Sequence, residues 1–131
     1  MIVLDTHALV WWVSGSGRLS ARAKRALNEA LREGPAFAST ISVLEIATAV
    51  RRGRLVLASP LGEWLADLRT LPELRFEPVS VEIAELAGSF GDSTPGDPAD
   101  RVIVATARTL GAKLVTADEA LRASPQVPAV W

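Results

Sequence analysis

The stretch Ile2-Val3-Leu4-Asp5-Thr6-His7 near the start of the chain is a wholly apolar run that ends on an acid. Nothing from Ile2 to Leu4 is polar, so the run reads as a strand buried on both faces, as in a parallel sheet covered by helices. In open sheets of that kind, ligands bind outside the carboxyl ends of the strands, which is where Asp5 falls. The first seven residues therefore raise two questions: whether the rest of the chain supplies the sheet, and whether other acids reach the same edge.

Outward from this strand, short apolar runs alternate with longer amphipathic ones, the sequence form of an α/β domain with a mainly parallel, roughly five-stranded sheet. A helix is expected through Trp12. Gly15 and Gly17 break the chain before Ser20, an N-cap for a second helix to about Leu31, which Gly34 and Pro35 end. Ala36 to Ala38 reads as the second strand, and Ser39-Thr40 opens a long helix stopping near Gly53. Pro60 starts a helix carrying Trp64. Arg75 to Val79 reads as a third strand, followed by a helix from about Val81 to Phe90 and a flexible stretch from Gly91 to Gly96. Pro98 opens a helix that reaches Leu110 and is capped by Gly111. Lys113 to Val115 is the fourth strand and Val127 to Trp131 the fifth.

At 131 residues, one domain spanning 1–131 is expected, with an ordinary 49% apolar and 22% charged composition. The mean hydropathy of +0.24 fits a well-buried centre. No apolar run approaches the ~20 residues that cross a bilayer, and Met1 leads to an acid instead of a basic leader, so a cytoplasmic protein is expected. The chain has no cysteine and one histidine, which excludes disulfides, thiolate metal sites and two-histidine zinc sites. Carboxylates are left as the metal ligands, and they suit hard cations. A net charge of −1 argues against a broad basic field for nucleic acid. A cluster of acids holding a metal ion would nevertheless place positive charge where a phosphate docks.

Four acids fit such a cluster: Asp5, Glu45, Asp100 and Asp118. Glu45 has only uncharged neighbours between Ser39 and Val50, unlike a glutamate on a solvated helix face. Asp5 ends an apolar strand, though it also suits an N-cap, a role Thr6 fills equally well. Asp97, directly before Pro98, is the expected N-cap, whereas Asp100 shares a helix face with Ile103, Val104 and Ala107 and points toward the sheet. Asp118 follows the fourth strand and either joins the acids or caps the short helix containing Glu119, Ala120 and Leu121. His7 reads as a structural histidine. Converging carboxylates raise one another's pKa and oppose folding unless a cation neutralises them. Mg²⁺ or Mn²⁺ held there can activate water and stabilise a phosphodiester under in-line attack.

Four segments carry a family resemblance: Ile2-Val3-Leu4-Asp5-Thr6-His7, Ser39-Thr40-Ile41-Ser42 through Glu45-Ile46, Gly96-Asp97-Pro98-Ala99-Asp100-Arg101 through Ala105-Thr106-Ala107, and Leu114-Val115-Thr116-Ala117-Asp118. In order and separation they resemble the successive motifs of PIN-domain ribonucleases, the VapC toxins of type II toxin–antitoxin systems. The resemblance implies a three-layer α/β/α fold and Mg²⁺- or Mn²⁺-dependent endonucleolytic cleavage of single-stranded or loop RNA. It implies Asp5, Glu45 and Asp100 as ligands, Asp118 as the fourth acid, and Thr6 and Thr116 as hydroxyls beside the site. It leaves open whether Asp97 is a ligand or only a helix cap. The partners it implies are RNA, a small cognate antitoxin and a second copy of the chain.

Two surface expectations accompany this reading. Trp11 and Trp12 project ~100° apart on a helix, so they are not expected to enter the same core; one of them, and Trp64 as well, is read either as a partner-surface residue or as a core or partly exposed one. Arg51, Arg52 and Arg54 either steer RNA phosphates or complement a helix C-terminus. The rival readings are a haloacid-dehalogenase-type phosphohydrolase, which needs a second acid where His7 stands, and a Mg-binding receiver-like signalling domain, which needs a second acid beside the first. No G-x-G-x-x-G follows a strand, which counts against a dinucleotide-binding domain.

Overall fold

A computed structural model describes residues 1–94 and 96–131. Its elements run β1 (Ile2–Leu4), α1 (Thr6–Ser14), α2 (Ala21–Leu31), β2 (Ala36–Ser39), α3 (Thr40–Arg51), α4 (Leu61–Thr70), β3 (Leu74–Glu77), α5 (Val81–Ser89), α6 (Pro98–Leu110), β4 (Lys113–Val115), α7 (Glu119–Arg122) and β5 (Ala129–Val130). The five strands form one sheet in the order β3-β2-β1-β4-β5. Every pairing is parallel; in the central ones Val3 lies opposite both Phe37 and Leu114. This order departs from the 2-1-3-4-5 arrangement of receiver-like domains, so the signalling alternative loses its fold.

Strand alternation divides the core in two. Ile2, Leu4, Ala36, Ala38 and Val115 face one side and pack with Leu9, Leu27, Ile46, Trp64 and Leu68. Val3, Phe37 and Leu114 face the other and pack with Ile83, Ala87, Ile103, Val104 and Leu121. Helices therefore cover both faces, which gives the expected three layers. Leu4 and Leu114 are fully buried, and truncating either to alanine is expected to cost about 2–5 kcal/mol.

Local chemistry sets the boundaries. Ser20 and Ser39 cap α2 and α3 through their hydroxyls, and Gly111 ends α6 in the left-handed region at φ 64°. Two strands differ from expectation. β3 stops at Glu77 because Pro78 has no N–H for the ladder, and the Val79 N–H turns to Thr40 Oγ1 at 3.2 Å. β5 is reduced to Ala129–Val130, since β4 is only three residues long and Pro128 can offer the sheet only its carbonyl, which accepts from Leu114 N–H. The stretch expected to be flexible, 91–96, includes Pro95, which lies outside the described residues. No helix among the described residues is long and apolar enough to cross a membrane.

The two neighbouring tryptophans share one core cluster while both stay partly exposed. Trp11 and Trp12 are both half-buried against the same core cluster, because the apolar arc of a helix lying on a sheet is wide enough for successive residues to sit on its two flanks. Trp64 is buried in that cluster and, with Trp11, lines a surface groove.

Candidate functional site

β1 and β4 are neighbours in the sheet, and the chain leaves their carboxyl ends toward opposite faces, which opens a crevice there. A cleft of about 270 Å³ occupies this edge. Five carboxylates line it: Asp5 beyond β1, Glu45 on α3, Asp97 and Asp100 at the start of α6, and Asp118 beyond β4. Thr6 and His7 complete the wall on the α1 side, and Leu121 lies opposite on α7. Every acid singled out from the sequence is thus gathered at one edge.

Three of the five are also helix caps. Asp5 Oδ1 accepts the Ala8 N–H at 2.8 Å, Asp97 Oδ1 accepts from Ala99 and Asp100 at 2.9 and 3.3 Å, and Asp118 Oδ1 accepts the Leu121 N–H at 3.1 Å. Capping and cleft lining are therefore not alternatives at these positions, and Thr6 is not the cap of α1. The N-terminal ends of α1 and α6 meet at the cleft, and their partial positive charge offsets some of the repulsion between the carboxylates.

The two threonines hold the acids. Thr6 Oγ1 donates to Glu45 Oε1 at 2.5 Å and is also hydrogen-bonded to Ser42 Oγ at 2.9 Å. A hydroxyl has one proton and a carboxylate only accepts, so Ser42 is the donor in the second bond. On the other side, the Thr116 hydroxyl bonds the Asp5 carboxylate, and its oxygen accepts the Asp118 N–H at 3.1 Å. The Asp5 N–H donates to the Val115 carbonyl at 3.1 Å, which ties the ends of β1 and β4 together.

Burial and charge crowding act together at Asp100. Its pKa is pushed up from 3.8 to about 7, first by burial and then by Asp97, Glu45, Asp118 and Asp5 in that order. Burial also raises Asp5, which is 7% exposed, while the Thr116 and Ala8 hydrogen bonds and His7 pull the other way. Among the described residues, no three carboxylate or histidine side chains already stand close enough together to hold one ion between them.

The family model for the PIN domain matches residues 2–125. This chain belongs to the PIN-domain family. It is 36% identical over 132 residues to "Ribonuclease VapC22" of Mycobacterium tuberculosis, covering 99% of this chain and 98% of that one. The PIN fold is shared with FitAcB from Neisseria gonorrhoeae at a TM-score of 0.68 and 22% identity, over 98% of this chain and 96% of that one. It is shared with a toxin–antitoxin complex from Klebsiella pneumoniae at a TM-score of 0.66 and 21% identity, over 97% and 95%.

Within this PIN domain, Arg51, Arg52 and Arg54 are exposed around the C-terminal end of α3 and do not line the cleft. His7 is the lining residue that sequence reasoning set aside. A lone histidine carries no spacing signature; the available clue was its place two residues beyond Asp5.

Proposed function

We propose that this PIN domain is a metal-dependent endoribonuclease that hydrolyses phosphodiester bonds of single-stranded or loop RNA, and that it acts in the cytoplasm as the toxin of a toxin–antitoxin pair. The observation that carries the reading is the convergence of Asp5, Glu45, Asp97, Asp100 and Asp118 on one small cleft, where burial and then the neighbouring carboxylates push the Asp100 pKa up to about 7. A protein accepts such repulsion most readily where a cation relieves it.

The donor set fits a hard divalent ion. Apart from the His7 imidazole it is all oxygen, without thiolate, which suits Mg²⁺ or Mn²⁺ better than zinc. Mg²⁺ commonly takes one or two carboxylates and keeps several waters, so carboxylates that line one cleft without closing on a point remain a suitable set. Asp5, Glu45, Asp100 and Asp118 are the proposed ligands, with Asp97 held as a cap that adds its charge. When bound, the ion supplies neutralisation of the phosphodiester charge and acidification of a water for in-line attack.

The chain's own residues position this set. Thr6 fixes the rotamer of Glu45, and Thr116 holds Asp5 while anchoring the backbone at Asp118. Arg51, Arg52 and Arg54 belong to the outer path along which RNA phosphates are drawn in. The 36% identity to a ribonuclease supports the activity, and the fold shared with a toxin–antitoxin complex supports a small antitoxin as partner. A homodimer is part of the same proposal.

The test incubates purified protein with defined RNA hairpins and single strands in Mg²⁺, Mn²⁺ or chelator, beside Asp100→Asn. Cleavage is expected only with the ions and only in the parent protein. Cleavage that persists in chelator, or survives the substitution, overturns the reading.

A further inference from the structure

His7 lies at the rim of the carboxylate cleft, and it is exposed. Its ring is stacked on Trp11, four residues on along α1, with centroids 5.5 Å apart and planes within 14°. Trp11 is itself held in place: Trp131 meets it at 5.6 Å with a 53° tilt, it packs half-buried on the core, and the Arg18 guanidinium stands 5.9 Å from its ring centroid. An exposed imidazole with one face backed by a fixed indole is a flat surface whose orientation is set before any ligand arrives.

We propose that the His7 ring, backed by Trp11, is the platform on which a base next to the scissile phosphate of single-stranded RNA stacks, with Arg18 facing the phosphate backbone as it leaves the cleft. The proposal rests on the ribonuclease reading and deepens it by assigning a positioning residue. Single-stranded RNA is gripped by stacking its bases on aromatic planes, a contact every base can make. With cations bound, the carboxylates of the cleft would hold a phosphate at its centre, but carboxylates offer the neighbouring base nothing flat to lie on. Among the residues lining it, His7 has the only aromatic ring. Arg18 is exposed beside the same column and supplies positive charge away from the acids, where a net charge of −1 leaves no general attraction for RNA.

The test has two readouts. Steady-state cleavage of a short single-stranded RNA separates KM from kcat for the parent, His7→Ala and His7→Phe. In an Asp100→Asn background, 2-aminopurine placed at successive positions of the same RNA reports stacking by quenching on binding. His7→Ala is expected to raise KM about tenfold with kcat within about twofold, and to relieve the quenching at one position. His7→Phe is expected to restore both, and an abasic nucleotide at that position is expected to abolish the difference between variants. A purely structural role for His7 would not depend on which base is missing. The proposal is overturned if no position is quenched, if His7→Ala changes kcat alone or nothing, if phenylalanine fails to restore KM, or if the substitution weakens only antitoxin binding. Should the parent protein cleave nothing with either ion, the ribonuclease reading fails, and the quenching decides RNA stacking on its own.

Discussion

Thr6 and Glu45 stand 39 positions apart in the chain, yet the threonine hydroxyl donates to the glutamate Oε1 at 2.5 Å. The bond joins the first residue of α1 to the middle of α3 and fixes one wall of the cleft. Thr6→Val keeps the shape and removes the donor, so Glu45 is left to swing and Ser42 loses its acceptor. Activity is expected to fall roughly 10- to 100-fold, the usual effect of removing a group that orients a ligand, with about 1 kcal/mol lost in stability. Thr6→Ser is expected to recover most of both. Kinetics beside urea unfolding checks this, and a serine variant as poor as valine would show that the methyl group, not the hydroxyl, is what matters.

The sign of the pH dependence follows from Asp100. Its carboxyl is raised from 3.8 to about 7 in the folded, metal-free protein, so between those values the native state holds a proton that the unfolded chain has released. Stability from this group is therefore greatest near pH 4, declines as pH rises toward 7, and is level above that. Asp100 is half-exposed, and after discounting for solvent screening the decline is on the order of 1–2 kcal/mol. Asp100→Asn is expected to flatten this part of the profile and to stabilise the metal-free protein at pH 8. Urea midpoints across pH 5–8 in chelator provide the measurement; an unchanged slope in the variant would assign the decline to other acids.

The same carboxyl makes ion binding compete with protons. Asp100 must give up its proton to serve as a ligand, so Mn²⁺ or Mg²⁺ affinity is expected to weaken by up to about tenfold for each pH unit below 7. Calorimetric titration near pH 6.5 in two buffers of different ionisation enthalpy is expected to show proton release on binding, and Asp100→Asn is expected to remove most of it. Equal heats in the two buffers would mean that binding bypasses Asp100.

Much of this arrangement was legible in the sequence, for reasons that differ from element to element. β1, β2 and β4 could be placed within a residue because each carries a short buried apolar run, flanked by Lys113 in β4 and Ser39 in β2, and Ser20, Ser39 and Asp97 announce their helices as caps. The edge strands β3 and β5 were harder, since their limits depend on which N–H the neighbouring strand can use, and Pro78 and Pro128 decide that only once the register is known. Strand ends and a helix start allowed Asp5, Asp100 and Asp118 to meet at one edge, whereas Glu45, in the middle of α3, was singled out by its uncharged neighbours. The ties that hold them were not legible: Thr6 to Glu45 is long-range, and the dual use of Asp5, Asp97 and Asp118 as caps and cleft walls appears only when α1, α6 and α7 are seen to start at one place.

Arg101, directly after Asp100, provides a prediction about the support of the cleft. Its guanidinium donates to the carbonyls of Ala87 at 3.0 Å and Thr94 at 3.2 Å, and also to that of Phe90, so one side chain of α6 gathers the end of α5 and the turn that follows it. A planar fork can reach several carbonyls from one position, which a lysine ammonium cannot reproduce. Arg101→Ala is expected to cost roughly 2–3 kcal/mol in stability, because half-buried carbonyls lose a charged donor. Hydrogen exchange is expected to quicken across 87–94, while the core strands keep their protection up to the new global stability. Activity should fall with it, since α6 carries Asp97 and Asp100 into the cleft. Arg101→Lys is expected to lie closer to alanine than to the parent. If lysine matched the parent in both unfolding and exchange, a single positive charge would suffice, and the fork would have no part in holding the acids in place.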